Sequence, residues 1–158
     1  ERGQHSDHQP GDIRAFAHRL TPAAAVSAVV FIPPNRLATA VARGLLPSEV
    51  PHRDAAANAG RAGLLVAALT DPDLTDHHRA RLLHPATEDR LHQSYRSSVM
   101  PDSYALLQTL RADGIAAIIS GAGPTVLAFG HRLAGRTPEG WKALELGVDS
   151  DGARILDS

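Results

Sequence analysis

Cysteine is absent from all 158 residues, which excludes disulfides and thiolate chemistry. That absence fits a reducing compartment, and a cytoplasmic location is the expectation. Excess charge is missing as well. With a formal net charge of −1, nothing draws the chain electrostatically to a nucleic-acid backbone. No apolar run approaches the ~18 residues of a membrane span, and the polar opening from Glu1 to Asp12 is unlike a signal peptide, so no membrane partner is expected. The His-Glu-x-x-His pattern of a zinc enzyme is lacking despite nine histidines. An initiator methionine is lacking too, and the expectation is a chain that begins partway through a longer protein.

What is present is a composition 43% hydrophobic, in a length suited to one globular domain with a real core. Residues 1–12 read as a polar arm. His5 and His8 flank Asp7 there, but a solvated tail is expected and no metal site is assigned. Ile13 to Leu20 reads as a weak strand, with Phe16 breaking its alternation. Val26 to Ile32 is β-branched and ends at Pro33-Pro34, the pattern of a central strand. Asn35 is expected to cap a helix to about Leu46, with Leu37, Val41 and Leu45 on its inner face.

Pro51 opens a second helix running to Leu69, with Asp54 complementing its dipole. Asp54, Asn58 and Arg61 share one face of it, and the apolar run Ala62 to Leu69 is expected to be buried. Arg61 then sits where a wet surface meets the core, either as a snorkelling arginine or as a functional one. After the turn at Asp71-Pro72-Asp73, two short helices are expected, Leu74 to Leu83 and Pro85 to Gln93. Helical spacing would bring Asp89, His92 and Arg96 together if the second persists that far. A further helix from Pro101-Asp102 ends at Gly114.

Next, two apolar runs, Ile115 to Ile119 and Val126 to Phe129, flank Ser120-Gly121-Ala122-Gly123-Pro124-Thr125. Gly121, Ala122 and Gly123 carry almost no side chain, so their amides can approach an anion closely; a tight connection needing positive φ reads equally from spacing. No Lys-Ser/Thr follows, so this is not a P-loop, and the third glycine of a dinucleotide fingerprint is missing. Pro138 to Trp141 reads as a loop with Trp141 packing inward. Leu144 to Val148 and Ala153 to Leu156 read as strands. One strand, a run of helices and then strands argue for an α+β sandwich, a mainly antiparallel sheet with helices on one face.

Four pieces together resemble a known family. Ser120-Gly121-Ala122-Gly123-Pro124-Thr125-Val126-Leu127-Ala128 is similar to the third signature of the small-metabolite kinases that include galactokinase, homoserine kinase and mevalonate kinase. Asn58 to Ala62, Thr87 to Arg96, and Gly152 to Leu156 resemble the homoserine kinase branch in particular. The resemblance implies a ferredoxin-like α/β plait and ATP-dependent phosphorylation of the L-homoserine hydroxyl, a step toward threonine. It implies that Arg61 and Arg96 grip the substrate α-carboxylate and that Gly121, Ala122 and Gly123 line the site. Asn58 orients Arg61 or is scaffold, and His92 lies nearby.

The family's phosphate loop, a proline followed by Gly-Leu-Gly-Ser-Ser-Ala, is missing from this sequence. ATP and Mg²⁺ would therefore be bound mainly by an amino-terminal half that is not here, and the fragment alone is expected to be inactive, with no catalytic residue of its own assigned. Residues 1–25 would be the arm and a remnant of that half, and 26–158 the carboxy-terminal kinase domain. Exposed interface makes self-association, as a homodimer, an expectation. Two other readings fit the residues: another kinase of the superfamily, or a ligand-binding module without catalysis.

Overall fold

The computed structural model describes residues 18–24 and 26–149. Its sheet begins with β1, Ser27–Ile32, whose β-branched residues alternate between two faces. Val29 and Phe31 on one face are fully buried. Five helices follow: α1 (Thr39–Gly44), α2 (His52–Thr70), α3 (Asp76–Ala86), α4 (Gln93–Arg96) and α5 (Pro101–Ala112). Then come β2 (Ala117–Ile119), β3 (Val126–Phe129) and β4 (Lys142–Gly147). The strands lie in the order β2-β3-β1-β4 and every pairing is antiparallel. This is the order of a ferredoxin-like plait, in which β3 returns between the strands that the first crossover joins.

Register decides what faces the helices. Val29 stands opposite Ala128 on one side and Glu145 on the other, and Ala128 stands opposite Ala117. Val29, Phe31, Ala117, Ile119, Val126 and Ala128 therefore form one apolar face. Leu106, Leu107 and Leu110 of α5, with Met100 just before it, pack onto it. Pro101 occupies the first position of α5, where its missing N–H costs nothing, and Gly114 ends the helix region at φ +80°. A smaller cluster joins α2 and α3 to the end of the sheet, through Ala68, Leu83, Ala116 and Phe129. Trp141 packs on the main core, as its loop position suggested.

Several elements differ from the sequence reading. Helix α1 starts at Thr39, not after Asn35, because Leu37 is drawn onto the main core and the segment before it stays irregular. Its buried residue is Ala42, while Val41 and Leu45 are exposed. The run Ala62 to Leu69 is not buried all round. Only Ala68 is, and Val66 is 48% exposed, because α3 covers just one side of α2. Pro85 does not start a new helix but sits in the last turn of α3, just before its end. Asp89 and His92 lie in a turn, not a helix, and only Gln93–Arg96 continues as α4. The strands read over Ile13 to Leu20 and Ala153 to Leu156 fall wholly or mostly outside the described residues; 18–20 are irregular.

Among the described residues, no helix is long and apolar enough to cross a membrane. The second crossover, from β3 to β4, carries only the 3-10 turn Ala134–Arg136 where a plait usually places a helix. Truncating Leu110, fully buried between α5 and the sheet, should cost about 2–5 kcal/mol in urea unfolding. Val66→Ala should stay within about 0.5 kcal/mol of wild type; a larger loss would show that this face of α2 is covered in solution.

Candidate functional site

The turn between α3 and α4 is built around one carboxylate. Asp89 accepts from the backbone N–H of His92 at 2.8 Å, of Gln93 at 2.6 Å and of Leu91 at 3.2 Å. These are the donors that a starting helix leaves free, so Asp89 caps α4 from outside it. Its Oδ1 also accepts from His92 Nδ1 at 2.9 Å and from Asn58 Nδ2 at 2.8 Å. Asn58 completes the link by accepting the N–H of Arg90 at 3.0 Å. Burial alone would raise the Asp89 pKa, but the hydrogen bonds from Gln93, His92 and Asn58 outweigh it and hold it at about 2, against an ordinary 3.8.

With the turn fixed, α4 projects its side chains at the glycine loop. Gln93 Oε1 accepts the N–H of Ile119 at 2.6 Å, just before the loop. Arg96 Nη1 donates to the Gly121 carbonyl at 3.2 Å, and its Nε donates to Ala42 of α1 at 3.2 Å. Ser103 of α5 donates to the Pro124 carbonyl at 2.6 Å near the loop's far end. Inside the loop, Ser120 N–H bonds to Thr125 and Gly123 N–H to Ser120. The amides of Gly121 and Ala122 have no such partner among the described residues, and they are the donors that an anion could use.

A cavity of about 560 Å³ lies between these parts. Its walls include Thr39 and Arg43 of α1, His92 and Arg96, and Gly121 and Ala122 of the loop. Arg96 is only 8% exposed, yet it has no carboxylate within ion-pair distance among the described residues. A buried cation answered only by neutral carbonyls is costly, and an anionic ligand in this cavity would offset it. His92 donates through Nδ1 to Asp89, which leaves Nε2 as the ring nitrogen without a partner among the described residues.

Of the residues singled out in the sequence, Arg96, His92, Gly121 and Ala122 line this cavity, and Asn58 stands behind Asp89. Arg61 is not in its wall. It pairs with Glu88, which also lies 3.9 Å from Arg111. Gly123, at φ +88°, is turned into the protein, where an added Cβ would come 2.5 Å from Met100 Sδ. Arg43, Thr39, Asp89 and Gln93 were not singled out as site residues. Only the three-residue spacing of Asp89 and His92 hinted at one of them; a lone arginine in a short helix gives no signal of the loop it will face.

Two outcomes follow from this geometry. Gly123→Ala should cost about 1–3 kcal/mol in thermal or urea unfolding, since it meets both positive φ and Met100. Because the folded pKa of Asp89 lies below its unfolded value, its contribution of about 2 kcal/mol is complete above about pH 4 and lost as pH falls toward 2. The stability gap between wild type and Asp89→Asn should therefore narrow over that window. A gap independent of pH would contradict the assignment.

Residues 65–140 match the family described as GHMP kinases C terminal. The chain is 55% identical over 150 residues to a homoserine kinase from Streptomyces avermitilis, covering 90% of this chain and 46% of that protein. It is 46% identical over 161 residues to a homoserine kinase from Rhodococcus opacus, covering 96% and 48%. Its fold matches the crystal structure of homoserine kinase from Cytophaga hutchinsonii with a TM-score of 0.72, at 21% identity, over 84% of this chain and 45% of that one. The chain spans about half the length of the curated relatives it matches. It belongs, by sequence and by fold, to the carboxy-terminal part of the GHMP kinases.

Proposed function

We propose that this chain is the carboxy-terminal, substrate-binding half of an ATP-dependent homoserine kinase, and that the cavity beside the glycine loop receives L-homoserine. The observation that carries the reading is Arg96, a buried cation without a counter-ion among the described residues, in the wall of a cavity that also contains Arg43. A planar guanidinium matches a carboxylate in a two-bond fork, and each such charge-assisted bond contributes about 1.5–3 kcal/mol. Arg43 and Arg96 take the substrate α-carboxylate between them. Arg43 is preferred to Arg61 because Arg61 is engaged by Glu88 and does not line the cavity. The amides of Gly121 and Ala122 stabilise negative charge near the hydroxyl that accepts the phosphoryl group. His92, oriented by Asp89, presents Nε2 to the substrate.

ATP supplies the phosphoryl group and Mg²⁺ neutralises it. Both are assigned mainly to the half that precedes these residues in the longer relatives, since no phosphate-loop sequence is found here. Residues 1–25 are read as the arm and remnant of that half and 26–158 as the kinase domain. The isolated chain should bind homoserine weakly and turn over nothing. The exposed apolar side of α2, around Val66, is a surface the remaining half would cover, and in its absence favours self-association.

The test is coupled ATP turnover with L-homoserine, comparing this chain with the chain joined to its upstream coding region. Turnover is expected only in the joined protein. There, Arg43→Ala or Arg96→Lys should raise KM for homoserine by about 10–100-fold, while Arg61→Ala has the smaller effect. Turnover by the isolated chain, or normal KM in both Arg43 and Arg96 variants, would overturn the proposal.

A further inference from the structure

A second cavity, of about 330 Å³, shares no residue with the first. It lies where α3 meets the end of the sheet, and its apolar walls include Leu83, Ile115, Ala116, Phe129 and Leu133. The space exists because the return from β3 to β4 holds only a three-residue 3-10 turn, leaving the sheet end short of a covering helix. Pockets of this size and lining are suited to small molecules with few polar groups.

One wall is Arg79, only 4% exposed. Its guanidinium donates to the carbonyls of Ala68, of Asp71 at 2.8 Å and of Leu74 at 3.4 Å, closing the end of α2. Every one of those partners is neutral. Nε is shut off from solvent and has no hydrogen-bond partner among the described residues. Asp76 and His131 also line the cavity, both exposed, and Asp76 forms no ion pair with Arg79. The result is a buried positive charge beside apolar walls, where a counter-charge acts through a low dielectric.

We propose that this cavity is a second ligand site, taking a short branched-chain carboxylate whose hydrocarbon body fills the apolar walls while its carboxylate closes on Arg79. An inorganic anion fits poorly, since a single arginine is offered and the remaining walls would desolvate the ion without bonding it. A purely apolar molecule would leave the charge of Arg79 unanswered. The site is independent of the homoserine reading, because it neither borders the glycine loop nor needs turnover to be detected.

The experiment titrates the full 158-residue chain with 4-methylpentanoate and, separately, with the neutral 4-methylpentan-1-ol. Methyl and arginine Nε–H resonances are followed by NMR. Saturable shifts are expected at Leu83, Ile115, Leu133 and the Arg79 Nε–H, with the acid bound at least about tenfold more tightly than the alcohol. Ala80→Phe, at an exposed position of α3 in the cavity wall, should weaken the acid about tenfold or more without disturbing the fold. Arg79→Gln should abolish the preference for acid; should that variant fail to fold, Ala80→Phe still decides. Equal affinity for acid and alcohol, an unchanged affinity in Ala80→Phe, or shifts confined to Ile118 and Ala122 of the first cavity would each overturn the proposal. So would no saturation below about 10 mM.

Discussion

The carboxylate of Asp89 is the constraint on which the rest of the site depends. It gathers three consecutive backbone amides, an imidazole and the amide of Asn58 from a different helix. Those bonds do two things at once. They start α4 at the right residue, and they fix the turn to α2, so that Gln93 and Arg96 point at the glycine loop. Burial opposes the charge, yet the donors more than compensate, which is why so small a turn can hold two helices in register.

The elements of the α+β sandwich were largely legible, and the plait order came with the family resemblance. A β-branched apolar run halted at Pro33-Pro34 marked β1, and Pro101 and Gly114 bracketed α5, each through a local rule. The six small residues between β2 and β3 marked the loop for the same reason. What local rules could not reach was which charged residues the fold would bring to that loop. Arg61 shares a helical face with Asn58, a pattern that left a snorkelling arginine and a functional one equally open, and its place in the site came from the family resemblance. In the folded chain that face meets Glu88 and Asp89, and Arg61 pairs with Glu88 through Nη2 outside the wall of the cavity beside the loop. Arg43 arrives from a helix six residues long, whose placement depends on Leu37 reaching the core and on Arg96 bonding to Ala42. Neither contact has a sequence period.

The apolar stretch of α2 carries a related lesson. Periodicity reports that a segment is rich in apolar residues, not which surface will cover them. Here α3 covers the side bearing Ala68, and Val66 remains exposed on another. Composition reads the demand for a partner surface. It does not say whether that surface belongs to the same stretch of chain, and in a chain half the length of its relatives the distinction matters.

The glycine loop is short, but its shape is not a local property. Its three side-chain tethers, from Gln93, Arg96 and Ser103, span separations of 26, 25 and 21 residues. Those intervals overlap almost completely. Closing a loop costs entropy that grows only slowly with length, so the first tether incurs nearly all of it and the other two form at little further cost. The anion-binding loop and the helices α4 and α5 thus order as one cooperative unit. Any ligand that grips Arg96 draws on the rigidity of the whole interval and not only on the residue it touches.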